Sequence, residues 1–146
     1  MGGHEILRSE AIKNLIPYKE PFLFIDEVLE LDSRKIICSL RVREVEGHFV
    51  DHSIMPGSLL MEGFGQAGTL LVRHNIEDEL KDILLYSVKD FKFFKPTYPG
   101  EKVKFDIDLK YLDDKFAIVD GKILGDELKG EGLLILAIVD KEKFRK

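Results

Sequence analysis

Only one long stretch of this chain, Pro56 to about His74, carries helical periodicity, and three glycines inside it restrict what it can pack against. Its apolar residues Leu60, Phe64, Ala67 and Leu71 recur at intervals of 4, 3 and 4, which places them on one face of an α-helix. Leu59, Leu70 and Val72 widen that face. Gly63, Gly65 and Gly68 each cost about 1 kcal/mol relative to alanine in a helix interior. A partner surface that approaches too closely for side chains accounts for them, as when a sheet wraps tightly around the helix.

The rest of the chain supplies such a sheet. Phe22 to Val28, running on toward Leu31, reads as a strand, Asp32-Ser33-Arg34 as a turn, and Lys35 to Val45 as the returning strand. Leu84 to Phe94 follows the helix. Lys102 to Leu112 alternates strictly, with Val103, Phe105, Ile107, Leu109 and Tyr111 on one face, and predicts a half-buried strand. Asp113-Asp114-Lys115 turns it into Phe116 to Leu124, and a final strand runs from Leu128 to Asp140. Leu133 to Val139 is apolar on both faces, so it is covered on both, either centrally in the sheet or at a subunit contact. A short helix capped by Ser9 is expected over residues 9 to 15, and a frayed tail from Lys141 to Lys146. The fold class is α+β: a mainly antiparallel sheet around one long central helix, in a single domain over residues 1 to 146.

With 45% hydrophobic residues a core is within reach, while 34% charged residues and a longest uncharged apolar run of only Leu133 to Val139 argue against a membrane protein. Met1-Gly2-Gly3-His4-Glu5 lacks a secretion pattern and Ile6 breaks a myristoylation motif, so a cytoplasmic protein is expected. The net charge of −5 argues against nucleic acid as the main partner. Cys38, the single cysteine, lies in an apolar stretch and reads as a buried structural thiol.

The chemistry concentrates in Gly47-His48-Phe49-Val50-Asp51-His52-Ser53-Ile54-Met55-Pro56-Gly57, followed by Glu62 on the helix. His48 and Glu62, two good acid/base groups, flank a Pro-Gly step able to start a helix. Free N–H groups at that start, Gly57 first, can receive a developing oxyanion. This layout suits proton abstraction next to a carbonyl. A glutamate beside an apolar helix face is either paired, functional or turned to solvent. Gln66, one turn beyond, either orients that carboxylate or is a plain polar helix residue. His48 and His52 have a spacing that binds metal on a helix, but here it falls in a loop without a third ligand, so no metal is expected. Phosphate-binding loop, nucleophile elbow and dinucleotide fingerprint are absent, and no cofactor is implied.

The segment from His48-Phe49 through Ile54-Met55-Pro56-Gly57 to Glu62 resembles the active-site segment of the β-hydroxyacyl-acyl carrier protein dehydratases, which have a hotdog fold. Two further stretches are similar to that family in the same order: Ile16-Pro17-Tyr18-Lys19-Glu20-Pro21-Phe22-Leu23-Phe24-Ile25-Asp26, and Phe93-Phe94-Lys95-Pro96-Thr97-Tyr98-Pro99-Gly100-Glu101. The resemblance implies a hydro-lyase of fatty-acid synthesis that forms trans-2-enoyl thioesters from (3R)-hydroxyacyl chains on acyl carrier protein. It implies His48 and Glu62 as the catalytic pair, with Gly57 polarising the thioester carbonyl and Gln66 behind Glu62. It also implies a homodimer, or three such dimers in a hexamer, with His48 and Glu62 of one site on different subunits. An acidic carrier requires a local basic patch, for which Lys89, Lys92, Lys95, Lys102 and Lys104 are the candidates, if they are more than ordinary solvated strand positions. The chain departs from the family where Val50, Asp51 and Ser53 replace two prolines and a glycine in the loop after His48. The alternatives are a thioesterase on the same fold, in which Glu62 activates water or attacks the thioester, and a non-catalytic acyl-binding subunit.

Overall fold

The computed structural model describes residues 7–8, 12, 23–43, 54–77 and 80–144. Seven strands run in chain order: β1 (Leu7–Arg8), β2 (Glu27–Leu31), β3 (Lys35–Arg41), β4 (Lys81–Phe93), β5 (Lys102–Leu112), β6 (Phe116–Leu124) and β7 (Leu128–Asp140). Helix α1 (Gly57–Asn75) lies between β3 and β4 in the chain, and one turn of helix, α2 (Lys141–Phe144), follows β7. The strands form one sheet in the order β1-β2-β3-β5-β6-β7-β4, and every neighbouring pair is antiparallel. This is the expected hotdog arrangement.

Aspartates close two of the hairpins. Asp32 Oδ1 accepts hydrogen bonds from the Arg34 and Lys35 amides at 2.8 and 2.9 Å, and Asp113 Oδ1 accepts from Lys115 and Phe116 at 2.8 Å each. The inner face of the sheet then presents Ile36, Cys38 and Leu40 beside Val103, Phe105 and Ile107, followed by Val119, Ile123, Leu134 and Leu136. All of these are buried with Leu60, Phe64, Ala67 and Leu71 of α1 in one core. The Cys38 thiol is fully buried, and desolvation pushes its pKa far up, as a structural cysteine requires.

Two of the three helix glycines serve this close approach. A Cβ on Gly63 would stand 2.6 Å from the Phe105 ring, and one on Gly68 would stand 3.1 Å from Val119, whereas Gly65 has ordinary room. A second hollow lies in the sheet itself. Gly121 and Gly132 are register partners on β6 and β7, and the Phe91 ring occupies the place of a Gly132 side chain. Phe91 in turn meets Phe64 of α1 edge-on at 4.9 Å. A bulge delivers it there: β4 shifts register between Lys89 and Lys92, with Asp90 at φ 51°.

Several expectations are corrected. Leu23, Phe24 and Ile25 are buried but precede the strand, which begins at Glu27. The Phe24 amide is satisfied by a helix side chain instead of a ladder. The returning strand ends at Arg41, short of Val45. Alternation in β5 breaks at a bulge between Leu109 and Tyr111, leaving Tyr111 49% exposed and Leu109 only partly buried. The tail from Lys141 forms α2, anchored by the Lys141 amide on Leu80 O at 3.0 Å. Strand β7 is central, between β6 and β4, but of Leu133 to Val139 only Leu134, Leu136 and Ile138 are buried. Leu133, Ile135, Ala137 and Val139 on its other face are half-buried, so the expected cover on both faces is not complete in the single chain. Of the helix expected over residues 9 to 15 only Ile12 is described, fully buried.

Candidate active site

Pro56 is the N-cap of α1, with φ −58° and ψ 140°, so it stands just outside the helix instead of in its first turn. No side chain caps this end. The Leu59 and Leu60 amides both point back to Pro56 O, at 3.0 and 3.2 Å, which leaves the Gly57 and Ser58 amides as the open donors of the first turn. The positive end of the helix dipole adds to their pull on negative charge. Beside them is a cavity of about 300 Å³, lined by Ile54, Met55, Gly57, Leu60, Phe93 and Phe94 among others. Gly57 packs closely here: a Cβ would come within 3.1 to 3.2 Å of the Phe93 ring, which would have to shift to admit it.

Glu62 lies in the second turn of α1, only partly buried. Gln66 is 1% exposed and reaches two ways: its Oε1 accepts the Phe24 amide at 2.8 Å, and its Nε2 donates to Glu62 Oε1 at 3.4 Å. The amide side chain therefore ties the helix to the buried segment ahead of β2 and steadies the carboxylate through the same group. Replacing Gln66 with leucine is expected to strand the Phe24 N–H in the core, at a cost of about 1 to 3 kcal/mol. Denaturant unfolding of the variant measures that loss, and an unchanged midpoint would show that the amide finds another acceptor.

Lys129 was not signalled by the sequence, where a lysine between Leu128 and Gly130 reads as an ordinary outward strand position. Its side chain is only 4% exposed. The ammonium donates to Pro96 O at 3.0 Å and Glu101 Oε1 at 3.1 Å, and lies 3.5 Å from Asp126 Oδ1. Burial is the largest single influence on its pKa and pulls it down. The hydrogen bonds and charges of Glu101 and Asp126 together outweigh that effect, so the pKa stands above the ordinary 10.5. The stability these ties contribute is thus complete below the ordinary lysine value and is lost only as pH rises through the raised one.

His48 and His52, like Val50, Asp51 and Ser53, lie outside the described residues. Of the expected site residues, the structure therefore brings together Glu62 and Gln66 and sets Gly57 at the open helix start. Among the described residues there is no group of three or more possible metal ligands, and no helix is long and apolar enough to cross a membrane. The five candidate lysines are all exposed but fall into two groups. Lys89, Lys92 and Lys95 lie on β4 or just after it, whereas Lys102 and Lys104 lie on β5, with β6 and β7 between the two strands.

The FabA-like domain family matches residues 16–129 of the chain. The chain belongs to the FabA-like family. A 3-hydroxyacyl-acyl-carrier-protein dehydratase FabZ of Campylobacter fetus subsp. fetus is 33% identical over 142 residues, covering 89% of this chain and 96% of that protein. The protein of the same name from Symbiobacterium thermophilum is 33% identical over 132 residues, covering 86% and 93%. Among solved structures, the dehydratase heterocomplex ApeI:P from Xenorhabdus doucetiae superposes with a TM-score of 0.76 at 17% identity, over 92% of this chain and 97% of that one. Thioesterase HI1161 from Haemophilus influenzae superposes with a TM-score of 0.73 at 13% identity over the whole of both chains. At such identities the superpositions establish the fold that this FabA-like chain shares with both, and the sequence relatives separate its lineage.

Proposed function

We propose that this FabA-like protein is a (3R)-hydroxyacyl-acyl carrier protein dehydratase of fatty-acid synthesis, working in the cytoplasm. The observation that carries the reading is the identity with dehydratases over nearly nine-tenths of the chain, in a protein whose Glu62 sits on the same helix that offers open amides to a carbonyl. His48 removes the proton at C2 of the acyl chain, and the Gly57 amide stabilises the negative charge that builds on the thioester oxygen. The C3 hydroxyl departs as water, with Glu62 and His48 managing its proton. Elimination leaves the trans-2-enoyl thioester attached to its carrier.

The chain acts as a homodimer in this reading. Among the described residues strand β4 is at the edge of the sheet, with Leu84, Leu85, Tyr86 and Val88 exposed, Tyr86 by 66%. A long apolar edge strand of this kind invites pairing with a second copy. Lys92 and Lys95, on either side of Phe93 and Phe94 at the cavity, give an acidic carrier a local contact despite the net negative charge. The deciding experiment supplies a 3-hydroxyacyl chain on acyl carrier protein. The expected result is enoyl absorbance without release of free thiol. Thiol release would identify a thioesterase, and neither signal, with acyl chain bound, would identify a non-catalytic acyl-binding subunit.

A further inference from the structure

We propose that Lys129 is a positioning residue for the carbonyl-binding amides at the start of α1, acting through the turn between β4 and β5. The proposal rests on the dehydratase reading for its effect on rate, but its geometry is independent of it. Lys129 holds that turn at both ends. Its main-chain carbonyl accepts the Phe94 and Lys95 amides at 2.8 and 3.4 Å, while its ammonium holds Pro96 O and the Glu101 carboxylate. The other oxygen of that carboxylate accepts the Tyr98 amide at 2.6 Å, so a single charged pair organises residues 96 to 101. The turn is also tied to the chain beyond β3, with Gly100 N donating to Val42 O at 2.7 Å and Val42 N to Glu101 O at 2.9 Å.

Thr97 lies in the middle of this turn, fully buried. Its carbonyl accepts the Met55 amide at 2.7 Å, and Met55 is the residue immediately before the N-cap Pro56. Because α1 has no side-chain cap, its first turn is held by this hydrogen bond and by the Phe93 ring packed against Gly57, in addition to the burial of Leu60 in the core. The hydrogen bond and the ring contact both come from the segment that Lys129 holds. A buried ammonium with three donors suits the task, since it can face a main-chain oxygen and two carboxylates at once. An apolar side chain would fill the space and leave Pro96 O and Glu101 without their partner.

The test compares Lys129→Met with wild type and with Lys35→Met. Lys35 pairs with Asp106 and Asp108 on the sheet away from the turn, so its loss controls for a general weakening of the fold. Lys129→Met is expected to lower kcat about tenfold to a hundredfold, the scale of a small misplacement at a reacting centre, with KM within about threefold of wild type. Lys35→Met is expected to leave both unchanged. Amide exchange supplies a readout that needs no turnover: exchange at Met55 should accelerate in Lys129→Met while the β5–β6 ladder keeps its protection. Wild-type kcat in the variant, or exchange accelerated uniformly through the sheet, overturns the proposal. Should Lys129→Met fail to fold, Glu101→Gln removes the opposite charge and is judged by the same two readouts. A wild-type protein without dehydration activity would reject the dehydratase reading, and the exchange at Met55 would still decide the role of Lys129.

Discussion

Glu62→Gln and His48→Ala are each expected to lower dehydration turnover by at least about a hundredfold, the usual scale for a positioned acid or base, without unfolding the protein. Glutamine keeps the shape of Glu62 and can still meet Gln66, so a folded but inactive variant isolates the loss of the acid. Mixing the two inactive proteins under conditions of subunit exchange then tests where the pair comes from. If His48 of one subunit works with Glu62 of the other, half of the dimers are mixed and each mixed dimer holds one intact site. Activity recovers to roughly a quarter of wild type by this counting under twofold symmetry. A pair drawn from one chain gives no recovery. Near-normal turnover in either single variant removes that residue from the mechanism.

Phe105→Ala is expected to destabilise the protein by about 3 to 5 kcal/mol, the range for emptying a fully buried aromatic site. Phe105 is 0% exposed, in the inner row between β3 and β6, and its ring lies against Gly63 of α1. The two positions are therefore coupled. Gly63→Ala alone brings a Cβ into the ring at 2.6 Å, which opposes the roughly 1 kcal/mol that alanine gains over glycine in a helix. Combined with Phe105→Leu, which shortens the side chain, the same substitution should cost less than it does alone. Chemical unfolding of the four proteins in a double-mutant cycle measures the coupling. Strict additivity would show that Gly63 is not there for the ring.

The elements that were legible in the sequence are those whose pattern is set by one buried face. Helix α1 was bounded to within a residue because its apolar stripe, glycines and Pro-Gly start all serve the same packing. The inner face of β5 was read correctly through Ile107, where alternation follows the pleat, and lost at Tyr111, where a bulge absorbs a register shift that composition does not reveal. Leu23 to Ile25 looked like a strand because burial alone makes a segment apolar; what makes a strand is a ladder, and the Phe24 amide goes to Gln66. The site divides in the same way. Gly57, Glu62 and Gln66 were singled out because the segment resembles the dehydratase family's, and the structure adds that Gln66, one turn beyond Glu62, reaches its carboxylate. Lys129 was not, because its partners Pro96 and Glu101 lie 33 and 28 positions away, and only the folded sheet brings them together.

The sheet order also dictates a sequence of assembly. Strand β4 is made immediately after α1, yet among the described residues it is laddered to β7, so Phe93 finds Gly130 and Phe91 finds Gly132 only after the β5–β6–β7 meander exists. Hairpins of neighbouring strands close early, and pairings distant along the chain pay their loop entropy late. The wall of the cavity beside Gly57 is therefore among the last parts to be built, and its apolar strand waits longest without a partner. The pocket beside Gly57 is a feature acquired at the end of folding, when β7 arrives.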